Sequence, residues 1–177
     1  MNVQVTPASL TEKSILRNLL ELYLYELSEY DGSEVGECGL YGYDYLEHYW
    51  TEEGRHPFLI RVGGRLTGFA LVNRHTRLTH DETTRSMAEF FVLKKYRRRG
   101  VGEAAALQIL RAFPGWWEVT ELAENLPAQR FWRNVISRFT NDSYEEILLE
   151  DERWRGPVQV FASPGEHGQN HAEERKP

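Results

Sequence analysis

The spacing of hydrophobic positions changes several times along the chain, and each change predicts an element. Residues 3–5 read as a short first strand. Ser9-Leu-Thr-Glu12 has the form of a capping box, in which serine and glutamate each satisfy a backbone donor at a helix start. Leu16, Leu19, Leu20, Tyr23 and Leu27 follow at helical spacing and define one apolar face. Residues 31–42 hold four glycines and read as a loop, with a second short helix expected over 43–51. Residues 58–62 and 66–72 flank Gly63-Gly64-Arg65 and predict a hairpin turned on glycines free to take positive φ. After a polar loop over 73–84, a longer strand over 85–93 runs into Lys94-Lys-Tyr-Arg-Arg-Arg-Gly-Val-Gly102. Ala106, Ile109, Leu110 and Phe113 mark the inner face of a helix that Pro114-Gly115 ends. A strand over 116–122, a helix over 127–139 and strands over 143–149 and 158–162 complete the pattern.

The order β-α-α-β-β-β-α-β-α-β-β implies an α/β (α+β) fold: a mixed, mostly antiparallel sheet of six to seven strands, flanked by about four helices. A chain of 177 residues fits one domain, here expected over 1–163. Residues 164–177 are rich in Gly, His, Glu and Lys without apolar anchors and are expected to form a mobile tail.

Composition narrows the function classes. No apolar run approaches the roughly 20 residues that span a bilayer, and the N-terminus lacks the basic-then-apolar form of a secretory signal. The cytoplasm is therefore the expected location, with no membrane partner. Cys38 is the only cysteine, so neither an internal disulfide nor a cysteine-based zinc site is possible. A formal net charge of −6 weighs against nucleic acid as a partner. That charge is unevenly distributed: residues 18–54 contain no Lys or Arg, whereas Lys94, Lys95, Arg97, Arg98 and Arg99 lie within six positions. One end of the molecule suits a cation and another an anion. His75, His80 and Glu82 border one loop and His167 and His171 lie four apart, but neither spacing converges enough for a metal, and none is expected.

Arg97-Arg-Arg-Gly100-Val-Gly102, between a strand and a helix, carries the most specific signal. Two glycines allow close backbone approach, and the next helix contributes free N–H groups and the positive end of its dipole. Together they favour phosphate or pyrophosphate. The Walker and dinucleotide patterns are both absent. Taken alone, Gly-x-Gly is equally a tight strand-to-helix turn. In context, Arg-x-x-Gly-x-Gly after a strand resembles the coenzyme A motif of the GNAT superfamily of N-acetyltransferases. Asn125-Leu-Pro-Ala128-Gln-Arg-Phe131-Trp132 resembles the family's Asn-x-x-Ala-x-x-Phe-Tyr segment, and the element order agrees over roughly residues 3–162.

The resemblance implies acetyl-coenzyme A as co-substrate and direct attack by an amine on its thioester, both substrates being bound together. The amides of Arg98, Arg99, Gly100, Val101, Gly102 and Glu103 would cradle the pyrophosphate, and Arg97, which opens the motif, counts with them as cofactor-binding. Val92 and Leu93 would pair with the pantetheine arm, Asn125 would bond that arm or hold the strands apart, and a Val92 or Leu93 N–H would polarise the carbonyl. Arg133 and the Lys94/Lys95 pair are candidates for the outer phosphate. Glu89, just ahead of Val92 where similar enzymes often carry an acidic residue, is the candidate general base, and alternation places it among apolar neighbours with Met87, Phe91 and Leu93; the competing reading is a strand-end carboxylate paired to arginine or facing water. Trp132 stands where many relatives have an acidic tyrosine, and an indole is no practical proton source. That departure leaves an alternative open, a non-catalytic acyl-coenzyme A sensor or interaction module. The tyrosines interleaved with the acidic run predict a pocket for a small amine or a basic peptide, with Tyr30, Tyr41 and Glu34 as acceptor-binding candidates. The expected assembly is a monomer or homodimer.

Overall fold

The computed structural model describes residues 2–79 and 83–164. Among them lie seven strands, β1 (Val3–Pro7), β2 (His56–Val62), β3 (Arg65–Asn73), β4 (Arg85–Val92), β5 (Gly115–Thr120), β6 (Tyr144–Asp151) and β7 (Trp154–Ser163). Four α-helices accompany them: α1 (Lys13–Asp31), α2 (His48–Thr51), α3 (Val101–Ala112) and α4 (Leu126–Thr140). The expected tail beyond 164, together with His80, Glu82, His167 and His171, lies outside the described residues. No helix among the described residues is long and apolar enough to cross a membrane.

Local chemistry explains the boundaries. The Glu12 carboxylate accepts the Ser9 N–H at 3.0 Å, as the capping pattern predicts, but through a 3-10 turn over Leu10–Glu12 that precedes α1. Gly63 and Gly64, with φ of 55° and 76°, close the β2–β3 hairpin. The second helix is one turn rather than the expected nine residues. Tyr49 is its buried residue, and Leu46, in the turn just before it, is buried as well. Strand β7 begins earlier than its hydrophobic run, because its pairing with β6 extends to Trp154 opposite Asp151. Backbone hydrogen bonding, rather than side-chain pattern, sets that boundary.

The seven strands form one sheet in the order β1-β2-β3-β4-β5-β7-β6. Neighbours are antiparallel except β4 and β5, which run parallel. One face packs α1 and α2 through Leu16, Leu20, Tyr49, Phe69, Leu71 and Phe91. The other packs α3 and α4 through Ile109, Leu110, Trp117, Trp132, Ile136 and Phe161. Each such fully buried large side chain contributes about 1.5–3 kcal/mol, so both layers are held firmly against the sheet.

The join between the two halves of the sheet is short. Strands β4 and β5 pair only at Arg85 with Trp117 and Ser86 with Glu118. Their C-terminal ends then separate, and the gap opens a cleft through the middle of the molecule.

Candidate active site

The cleft has a volume of about 650 Å³ and is walled by both separating strands, the end of α1, the loop before α2 and the start of α4. Glu89 on β4 and Glu121 beyond β5 both line it. They stand on opposite faces of the sheet, and a bulge is part of the reason. The β3–β4 register shifts between Leu71, opposite Glu89, and Val72, opposite Met87, so Ala88 is the extra residue. Strict alternation is thereby broken. Met87 joins the α3/α4 core with Trp117 and Trp132, whereas Phe91 and Leu93 pack on the α1/α2 side. The sequence expectation that Met87 shares the face of Glu89 is corrected by that bulge.

Glu89 is half-buried among tyrosines. The Tyr43 hydroxyl donates to its Oε1 at 3.1 Å, and the Tyr23 hydroxyl bonds the same carboxyl. Burial pushes the carboxyl up to about 7, against the lowering effect of these two donors. The tyrosines are shifted in the same direction. Burial, then the adjacent Glu89 charge, hold Tyr23 and Tyr43 well above the usual phenol range, and Tyr49 is pushed up to about 12. All three remain hydrogen-bond donors at neutral pH. The group around Glu89 is therefore a carboxyl poised to exchange a proton, held by phenols that keep theirs.

The backbone beside Glu89 is divided between two directions. Leu93 N–H donates to the Thr67 carbonyl at 2.8 Å, so residues of this parity bond toward β3. The backbone groups of Phe90 and Val92 turn the other way, into the gap. Of the two predicted backbone donors, Leu93 is thus committed to the sheet and Val92 faces the cleft side. The Val92 carbonyl accepts from Arg97 Nε at 2.6 Å, and the Arg97 guanidinium also reaches Glu26 on α1 at 2.7 Å. Arg97 fastens the loop to α1, and its side chain is occupied there rather than turned to an anion.

Beyond Arg97 the loop behaves as its glycines predict. Arg98 and Gly100 take positive φ, 58° and 76°, and Gly100 caps α3. Turning the chain there leaves the first amides of α3 unpaired within the helix, an arrangement that attracts anions. Gly102 serves close packing instead. A Cβ at that position would lie 3.1 Å from the Phe131 ring and 3.8 Å from Phe90, which lines the cleft. The start of α3 is thereby held against the cleft wall. Glu103 pairs with Arg138 of α4 at 2.9 Å. Arg133, a candidate for the outer phosphate, is bound to Glu146 at 2.7 Å instead.

Across the cleft, Asn125 caps α4 by accepting the Ala128 N–H at 3.1 Å. Ala128, Asn125 and Trp132 all line the cleft. Trp132 is held edge-on by Phe90 and Phe131, with centroids 5.2 Å and 5.1 Å away. Glu121, which the sequence reading did not single out, is buried beneath them. Its Oε2 accepts from Gln159 Nε2 at 3.0 Å, and its Oε1 has no partner among the described residues. Burial pushes this carboxyl up to about 8, with the neighbouring Glu146 charge adding to the effect. One sequence signal pointed to it, since Glu121 continues the inward alternation of Trp117 and Val119.

The acceptor-side candidates are displaced from the cleft wall. Tyr41 bonds Ser28 through its hydroxyl at 3.1 Å and Glu21 through its amide at 2.8 Å, which ties the long loop to α1. Tyr30 and the exposed Glu34 are also absent from the lining. Tyr23, Tyr43, Tyr45 and Asp31 take their place, Arg55 and Arg77 add positive charge to the wall, and His75, held below the usual imidazole range by burial and the Arg55 charge, adds a neutral ring. No group of His, Cys, Asp and Glu suited to a metal occurs among the described residues.

Comparison with known proteins gives the architecture a context. A search of curated sequences returns no match. Among solved structures, an acetyltransferase from Thermus thermophilus has a TM-score of 0.67 at 14% identity, over 92% of this chain and 97% of that one. The aminoglycoside acetyltransferase AAC(6′)-Ib, in complex with ribostamycin and coenzyme A, also has 0.67 at 14%, over 92% and 94%. The spermidine N-acetyltransferase from Vibrio cholerae, in complex with coenzyme A and spermine, has 0.62 at 11%, over 91% and 95%. These likenesses show a shared fold. The sequence profile described as the acetyltransferase (GNAT) family matches residues 19–135, which span both cleft-forming strands and the helices after them, and the chain belongs to that family.

Proposed function

We propose that this protein is an acetyl-coenzyme A-dependent N-acetyltransferase that moves an acetyl group to an amine by direct attack in a ternary complex. The observation that carries this reading is the cleft at the β4–β5 separation, with Glu89 inside it and the amide-rich start of α3 beside it. The residues present fit such a donor. Free amides from Arg98 to Glu103 favour a pyrophosphate, Phe90 and Val92 offer backbone groups to an extended arm, and Ala128 leaves room on the facing helix. Two structures of similar fold are complexes with coenzyme A, which supports the same donor.

The chemistry follows from what the chain supplies. An amine with a pKa of about 10 must lose a proton before it can attack. Glu89, ionised above about pH 7, takes that proton directly or through water. The Val92 N–H polarises the thioester carbonyl and stabilises the developing oxyanion. Holding both substrates in one cleft makes the reaction effectively unimolecular. Tyrosine faces and the carboxylates of Asp31 and Glu89 favour a cationic acceptor.

The test is an acceptor screen with acetyl-coenzyme A, covering polyamines, an aminoglycoside and basic peptides, with product mass as readout. A gain of one acetyl group that Glu89→Gln suppresses supports the proposal. Binding of acetyl-coenzyme A with no transfer to any amine would favour the non-catalytic sensor, the reading suggested by Trp132.

A further inference from the structure

Glu121 is a buried acid that the proposed reaction has not yet used. It follows Thr120, the last residue of β5, on the face that carries Trp117, Val119 and Trp132. Its backbone is fixed at three points: its N–H donates to the Pro157 carbonyl at 3.3 Å, and its carbonyl accepts from the Trp154 indole at 3.0 Å. The third is Gly156, where a Cβ would stand 2.1 Å from that carbonyl, so only glycine permits the approach. The side chain is 4% exposed. A buried, ionised carboxylate oxygen without a partner is costly, whereas a neutral carboxylic acid is far less so.

The position of the proton follows from the hydrogen bonds. Oε2 accepts from Gln159, so the acid's own hydrogen belongs on Oε1, the oxygen without a partner. Arg133 does not neutralise the group directly, because its guanidinium is bound to Glu146. Those neighbours are the facing charged groups: Glu146 from β6 raises the affinity of Glu121 for its proton, and Arg133 from α4 lowers it. The two tyrosines beside Glu89 offer no substitute. Tyr23 and Tyr43 bond that carboxyl on the other face of the sheet and hold their protons more tightly than free phenol does.

We propose that Glu121 is the proton donor to the departing coenzyme A thiolate, acting from the opposite face of the cleft to the base Glu89. The proposal rests on the N-acetyltransferase reading. Once the first proton of the ammonium has passed through Glu89 to solvent, the neutral amine nitrogen bonds to the acetyl carbon and its next proton passes to the regenerated Glu89 carboxylate. The carbon–sulfur bond breaks, sulfur keeps the electron pair, and sulfur takes the proton from Glu121 Oε1. Glu89 ends protonated and Glu121 ionised, and exchange with solvent restores both. The net transfer is one proton from amine to thiol, with no further reactant. In this arrangement one carboxyl group stands on β4 and the other just past the end of β5, one facing each substrate.

Coenzyme A itself is the probe, which removes any need to know the acceptor. Its thiolate is followed by ultraviolet absorbance against pH when bound to wild type, Glu121→Gln and Glu121→Asp. With Glu121 beside the sulfur, bound thiolate forms at a pH higher by about one unit or more than in the Glu121→Gln complex, because ionised Glu121 repels it. Glu121→Asp restores part of that shift. Glutamine can keep the Gln159 contact, so a purely structural role leaves the titration unmoved. Identical thiol titrations in complexes of equal affinity overturn the proposal and leave the acetyltransferase reading intact. Failure of wild type to bind coenzyme A overturns both. Loss of folding in Glu121→Gln, seen in its melting curve, transfers the decision to Glu121→Asp, for which a thiol titrating as freely as in solution would be the contrary result.

Discussion

Glu89 shows how a single side chain acquires its chemistry from its neighbours. Its carboxyl is pushed up to about 7 by burial, and Tyr43 and Tyr23 oppose that rise by donating to the charged form. Acetyl transfer should therefore increase with pH through about 7, as the base loses its proton. Tyr43→Phe should move this rise to higher pH, since it removes a donor to the carboxylate, and a pH–rate profile would show the displacement. Glu89→Gln should lower kcat/KM by about 10²- to 10⁴-fold and abolish the rise altogether. Stability should respond in the opposite sense. Between the unfolded value of 4.5 and about 7, the folded protein binds more protons than the unfolded chain, so stability falls as pH rises across that window. Relative to wild type, Glu89→Gln should gain up to about 3 kcal/mol over the same window, measured by denaturant titration at pH 5 and pH 8. The residue was legible in the sequence from its place just ahead of Val92, but its partners were not. Tyr23 was visible as part of a helix face, and nothing in its spacing shows that its hydroxyl meets a strand 66 positions later. Met87 was misplaced because the Ala88 bulge leaves the hydrophobic pattern of the strand unmarked.

Elements owe their positions to a few close approaches that only small residues allow. Gly68 on β3 lies so near β4 that a Cβ would fall 2.0 Å from the Phe91 carbonyl oxygen. Gly68→Ala should therefore displace β4 and cost more than about 2 kcal/mol in thermal or chemical unfolding, a large effect for one methyl group. Gly100 differs: open space surrounds it, but its φ of 76° disfavours any L side chain. Gly100→Ala should cost only about 1–2 kcal/mol, through backbone strain alone. The strand-to-helix loop was read correctly as a glycine turn because positive φ and close approach both leave a mark in sequence. The full extent of β7 was not, since it depends on pairing with β6 across a polar stretch. The ion pair of Arg97 with Glu26 on a distant helix was not legible either. Local sequence carries backbone requirements well and long-range ion pairing poorly.

At the scale of the whole molecule, function depends on where the sheet fails to close. Two parallel strands pair at only two positions and then part, and the cleft so formed takes walls from both helical layers. The fold class and strand number were legible from the element order together with the two motifs. The separation itself was not, because unmade strand pairing leaves no periodic signature. The course of the acidic, tyrosine-rich run was hidden for a related reason: it folds back on α1, and only part of it reaches the wall. The most direct test of the account is calorimetric titration with acetyl-coenzyme A of wild type and of Ala128→Trp, which fills the cleft from α4. Micromolar binding by the wild type, weakened at least tenfold in a folded Ala128→Trp, is the predicted result. Absence of binding to wild type, or equal binding by both proteins, would contradict the assignment of this cleft to the acetyl donor.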